Sequence, residues 1–82
     1  MRFHVEFTYS SSSRDKVLRL LRDRGLNPGN NLKILQAYVA IATGTGYVIV
    51  DTNKAAALYE ACSAWSDIGQ LKVTPVIEVD EI

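Results

Sequence analysis

Two side chains near the start of the chain have the types and the spacing for acid–base chemistry. In "RFHVEFTY" (2–9) the residues alternate, with Phe3, Val5, Phe7 and Tyr9 on one side and His4, Glu6 and Thr8 on the other. That alternation is the mark of a strand with one apolar face. His4 and Glu6 then share the opposite face, about 7 Å apart along the strand. A carboxylate at that position can orient an imidazole and tune it as a base near neutral pH. Tyr38 or Tyr47 could add a phenol. The plainer reading is that His4 and Glu6 make hydrogen bonds across an interface, and the balance favours it.

The remaining reactive residue types offer less. Cys62 falls on the apolar stripe of a helix beside Leu58 and Trp65, where a packed thiol is expected rather than a nucleophile. With one histidine and one cysteine in the chain, no metal-ligand spacing exists, and no cofactor is expected. Trp65 and Tyr59 read as core aromatics at helical spacing. Arg14, Lys16, Arg19, Arg22 and Arg24 give the first helix a basic face, answered by the acidic ending "EVDEI". Its simplest reading is a solvated helix with paired charges.

The elements that position these residues can be read in order. "SSSS" (10–13) supplies a loop and a cap at Ser12 or Ser13 for the helix "RDKVLRLLRDRG". Val17, Leu18 and Leu21 form its stripe, Leu20 lies at the edge, and Gly25 stops it. "LNPGNN" (26–31) is a turn. "LKILQAYVAIA" (32–42) reads as a long strand whose hairpin partner "YVIV" (47–50) lies across a turn at Gly44 and Gly46. Asp51 or Thr52 caps the helix "NKAAALYEACSAW", with the stripe Leu58, Tyr59, Cys62 and Trp65, and Gly69 closes it. The last strand, "LKVTPVIEV" (71–79), contains Pro75, which cannot donate to a ladder and marks an edge strand.

Strand, helix, strand, strand, helix, strand is the split βαβ order. It predicts an α+β, ferredoxin-like βαββαβ fold, a four-stranded antiparallel sheet with two helices on one face, occupying residues 1–82 as a single domain. If Ala42 faces Tyr47, then Ala40 faces Ile49 and Tyr38 faces Asp51, while Val39, Ile41, Val48 and Val50 point into the core. The uncovered face then carries His4, Glu6, Thr8, Ile34, Gln36, Tyr38, Ala40, Ala42, Tyr47, Ile49, Thr74 and Val76. Such a face is too apolar to stand in water, and a second copy packed face to face is its natural cover. His4, Glu6, Gln36, Tyr38, Tyr47 and Ile49 are therefore the candidate ligand-binding or dimer-interface residues.

Composition sets the outer limits. Of 82 residues, 48% are apolar, generous for a chain that buries only about 60–65% of its unfolded surface. Nine basic residues balance nine acidic ones, so the whole chain has no bias toward nucleic acid or an anionic membrane. One cysteine fits a reducing compartment, and no apolar run reaches spanning length. A cytoplasmic location is the expectation.

Two resemblances bear on function. "TGTGYVIV" (43–50) is similar to the third-strand signature of RNA recognition motifs through Gly44, Gly46, Tyr47 and Val48. Thr43, Thr45 and Val50 stand where that signature has a basic residue and two aromatics, and Glu6 would repel a phosphate backbone. RNA binding is thus a remote alternative. Across the whole chain, "MRFHVEFT", "KILQAYVAIATGTGYVIVDT", "ALYEACSAW" and "VTPVIEVDE" together resemble a family of short bacterial proteins called domain of unknown function 3303. That family belongs with the dimeric α/β-barrel superfamily of ferredoxin-like folds. The family pattern has tryptophan where this chain has Tyr38, and often histidine where it has Val39. The resemblance implies a dimer of sheets and no particular activity. Relatives in the superfamily include monooxygenases, isomerases and haem-degrading enzymes. The expectation is an uncharacterised homodimer holding a small apolar molecule at a sheet face. The alternative is a cofactor-independent monooxygenase- or isomerase-type enzyme with His4 as base.

Overall fold

β1 (Arg2–Thr8), α1 (Arg14–Arg24), β2 (Lys33–Val39), β3 (Thr45–Asp51), α2 (Ala55–Ser63) and β4 (Gln70–Val76) follow one another along the chain, and a 3-10 turn over Val79–Glu81 ends it. They are seen in a computed structural model that describes all residues except 27 and 28, and all side chains but theirs and that of Arg24. The turn expected over 26–31 therefore lies partly outside the described residues, as does the Arg24 end of the basic face. The sheet is antiparallel with strand order β2-β3-β1-β4. This is the ferredoxin-like order, with β1 and β3 central and β4 at an edge, the position in a sheet that tolerates a proline such as Pro75.

Register assigns the faces. Phe3, Val5 and Phe7 of β1 pair with Val50, Val48 and Gly46 on one side and with Pro75, Val73 and Leu71 on the other. These residues share the helix-facing side of the sheet. Val5, Leu32, Val50 and Leu58 form the buried core cluster, with Ile34, Ala61 and Cys62 packed against it. Val17 of α1 is only 1% exposed and is the most completely buried large side chain.

The hairpin departs from the sequence reading. Tyr38 pairs with Tyr47 and Val39 with Gly46, not Tyr38 with Asp51. β2 stops at Val39, and residues 40–44 form the connection. Ala40 donates its amide to Thr45 O at 2.8 Å, and Tyr9 donates to Gly44 O at 2.9 Å. Gly44 has φ +66°, and a Cβ there would lie 2.7 Å from Tyr9 O. Both the left-handed backbone and the close approach demand glycine. Ala40 and Ala42 therefore leave the sheet face, and Ile41, expected in the core, is fully exposed.

A bulge at Leu35 supplies the second departure, because Ile34 pairs with Val50 and Gln36 with Ile49. One extra residue in β2 reverses the alternation on its far side. Ile34 thus belongs to the core while Gln36 and Tyr38 keep the opposite face.

Helix ends differ from expectation as well. No side-chain cap bond forms at Ser13; the Ser10 hydroxyl bonds instead to the hydroxyls of Ser12 and Ser13. α2 begins later than the capping residues suggested. Thr52 Oγ1 accepts from the Lys54 amide at 3.1 Å and donates to Asn31 O at 2.7 Å, which stitches the start of α2 to the segment before β2. Tyr59, expected in the core, is 76% exposed. The buried stripe of α2 runs through Leu58, Ala61 and Cys62, one position round from it. The closing Gly69 has a steric reason: a Cβ would meet the Phe7 ring at 2.3 Å and Thr8 O at 2.6 Å.

Candidate functional site

The sheet has two chemically different faces, and the sequence-predicted residues all stand on one of them. Cross-strand rows on the uncovered face read Gln36–Ile49–His4–Thr74 and Tyr38–Tyr47–Glu6–Lys72. The structure thus brings His4, Glu6, Gln36, Tyr38, Tyr47 and Ile49 into two adjacent rows. The His4 ring leans on Tyr47, with centroids 5.9 Å apart and planes tilted by 40°. Glu6 lies between Tyr47 and Lys72 in register. No hydrogen bond joins His4 to Glu6 among the described residues, so the imidazole's neighbour is a phenol rather than a carboxylate.

The end of this face nearest the chain termini is charged. Lys33, Asp51 and Arg2 alternate in sign across three strands. Arg2 also pairs with Glu78 and lies 4.0 Å from Glu81; these acids hold the guanidinium proton even more firmly than usual, Glu78 foremost. The Met1 ammonium donates to Asp51 at 3.1 Å. With Ile34 turned inward and Ala40 and Ala42 in the connection, the apolar part of the face shrinks to Ile49, Val76 and the rings of Tyr38 and Tyr47.

A cavity of about 210 Å³ lies on the other side, between sheet and helices. Val5, Val48 and Val50 form its floor; Val17, Leu21 and Leu58 its roof. Phe7, Tyr9 and Trp65 gather at one wall, the Phe7 ring 5.7 Å from Tyr9 and 5.7 Å edge-on to Trp65. Cys62 also faces it, and burial pushes its thiol pKa up, so the neutral thiol persists. The mouth opens at β2, where Ala37 and Val39 line the cavity yet remain exposed, Val39 by 46%.

Of the sequence-predicted residues, only Tyr38 touches this cavity; His4, Glu6, Gln36, Tyr47 and Ile49 lie across the sheet from it. Sequence reasoning assigned Phe7, Tyr9 and Trp65 to the core. The available signal was a surplus of aromatics on one layer of a small domain, which cannot all be packed against two short helices.

The family of domain of unknown function 3303 matches residues 1–82, the whole chain. The protein is a member of that family. No curated protein matches it. Among solved structures it is similar to a Deinococcus radiodurans protein provisionally named an antibiotic biosynthesis monooxygenase. The TM-score is 0.53 at 10% identity, over 95% of this chain and 93% of that one. At that identity the likeness is one of fold, and it bears out the ferredoxin-like reading. Among the described residues no helix is long and apolar enough to cross a membrane.

Proposed function

We propose that this protein is a homodimer that holds a small, uncharged apolar molecule between its sheet and its helices. The cavity carries the proposal. The space of about 210 Å³ is open at β2 and lined almost wholly by apolar side chains, so water inside it would find few hydrogen-bond partners and an apolar guest would displace it favourably. Apolar cavities of about 150 Å³ stay dry and accept a benzene ring, so this one has room for a substituted ring or a short branched chain. The uncovered face supports the dimer through Tyr38, Tyr47, Ile49 and Val76, with His4, Glu6 and Gln36 meeting polar groups of the second copy. Charges at its rim favour one register over others. The free thiol of Cys62 suits a reducing compartment such as the cytoplasm. An enzyme with His4 as base gains no support here, since the imidazole and the cavity lie on opposite sides of the sheet.

Trp65, the single tryptophan, lines the cavity and reports on it. Titration with toluene or naphthalene should give a saturable change in its emission and raise the melting temperature. Ala61→Leu, which fills the cavity from α2, should abolish both responses. Linear, non-saturating quenching in both proteins would end the cavity reading. Sedimentation equilibrium tests the dimer, with Ile49→Asp expected to shift it to monomer.

A further inference from the structure

Among the described residues, the cavity lining has no carboxylate, cationic, amide or aliphatic hydroxyl side chain. Its side-chain heteroatoms belong to Tyr9, Tyr38, Cys62 and Trp65. Tyr38 stands at the mouth, 59% exposed, where water serves its hydroxyl. The Cys62 thiol is a weak donor and a weak acceptor. Tyr9 differs from both. It is only 9% exposed, yet among the described residues its hydroxyl makes no hydrogen bond within the chain. No wholly occluded side-chain polar atom lacks a partner among those residues. The Tyr9 hydroxyl therefore opens on accessible space, and the space its ring lines is the cavity.

The surroundings hold that ring and leave room beside it. Phe7 lies 5.7 Å away between centroids, and the Tyr9 amide donates to Gly44 O at 2.9 Å. A Cβ at Gly44 would lie 3.8 Å from two carbons of the ring, so one ring edge rests on the glycine backbone. The room comes from Gly46. In the cross-strand row Val39–Gly46–Phe7–Leu71 the second place has no side chain. A Cβ there would approach Tyr38 O at 3.7 Å and nothing closer. Trp65 meets the same Phe7 ring edge-on at 5.7 Å, and its indole N–H can only donate.

We infer that the guest is a neutral ring compound bearing one carbonyl-type acceptor, its ring in the gap at Gly46 against Phe7 and its oxygen accepting from the Tyr9 hydroxyl. This names a chemical class for the cavity proposed above and rests on that reading. A phenol donates more strongly than it accepts, so this wall calls for an acceptor. A carboxylate would be buried without a counter-charge, because no cation lines the cavity among the described residues. A ketone or aldehyde carries no such penalty. Its oxygen leaves water on entry and regains one hydrogen bond where the low dielectric strengthens it.

Two ligands of one shape test the contact. Acetophenone and α-methylstyrene differ in having an oxygen or a methylene group at the same place. Calorimetric titration of each into the unmodified protein should give saturable binding. Tyr9→Phe keeps the ring and loses the hydroxyl; with its fold checked by circular dichroism, it should bind acetophenone roughly tenfold more weakly and α-methylstyrene as before. The carbonyl carbon NMR signal of acetophenone bound to the unmodified protein should lie downfield of its position in cyclohexane, and Tyr9→Phe should move it back. Gly46→Val fills the gap and should weaken both ligands alike. A cyclohexane-like carbonyl signal in the unmodified protein would overturn the inference without any variant. Equal changes for the two ligands in Tyr9→Phe, or binding untouched by Gly46→Val, would overturn it too. In those cases saturable α-methylstyrene binding leaves the cavity reading standing, whereas no saturable binding of either ligand removes both.

Discussion

At the scale of single residues, position in space rather than residue type decides what each group does. Gly69 looks like a helix stop, but its work is to let the chain pass the Phe7 ring and the Thr8 carbonyl. Gly69→Ala should therefore destabilise the protein by about 1–3 kcal/mol, read as a lower urea midpoint, and should also disturb Trp65 emission because Phe7 packs edge-on against Trp65. A neutral result would mean the chain can retreat from Phe7 without cost. Cys62 is the titratable counterpart. Its folded pKa is raised by burial, so the stability tied to the neutral thiol is fully present below the unfolded value and is lost as pH rises through the folded one. Iodoacetamide should accordingly modify the folded protein more slowly than the urea-unfolded chain, with its rate rising at higher pH. Matching profiles in the two states would show the thiol to be free of its surroundings.

At the scale of elements, the sequence legibly specified the strand and helix types, their order, and the faces of β1 and β3. Strict alternation at Phe3, Val5 and Phe7 leaves one arrangement with the apolar side inward. What could not be read was the hairpin. Ala40, Ile41 and Ala42 suit a strand as well as a loop, and two nearby glycines suggested a tight turn. The actual connection depends on Gly44 meeting Tyr9, a contact from a distant strand that no local pattern records. The resulting slip is of four residues, an even number, so Tyr38 stayed on the expected face while Ile34 was moved by the bulge. The candidate-site residues were legible as one surface; the cavity was not, because a void is set by how two layers fail to meet. The bulge makes a prediction of its own. Deleting Leu35 should leave Ile34 opposite Val50 and Gln36 opposite Ile49, so the protein should still fold. Deleting Ala37 should invert the strand end beyond it and leave the chain unfolded or aggregated. Equal behaviour of the two deletions in circular dichroism would show that β2 register is not fixed by its faces.

At the scale of the whole molecule, a thin sheet-and-helix sandwich must manage two edges, one open face and an incompletely filled interior. Each edge strand carries one lysine, Lys33 on β2 and Lys72 on β4, but Pro75 stands on one edge only, and this one-sidedness limits growth. A sheet that can recruit backbone partners along a single border is able to close into a finite pair but cannot propagate into a fibril, which needs a sticky border at each end of every unit. Pro75→Val combined with Lys72→Val should remove that brake, giving thioflavin-positive, concentration-dependent precipitation at protein levels where the parent stays clear.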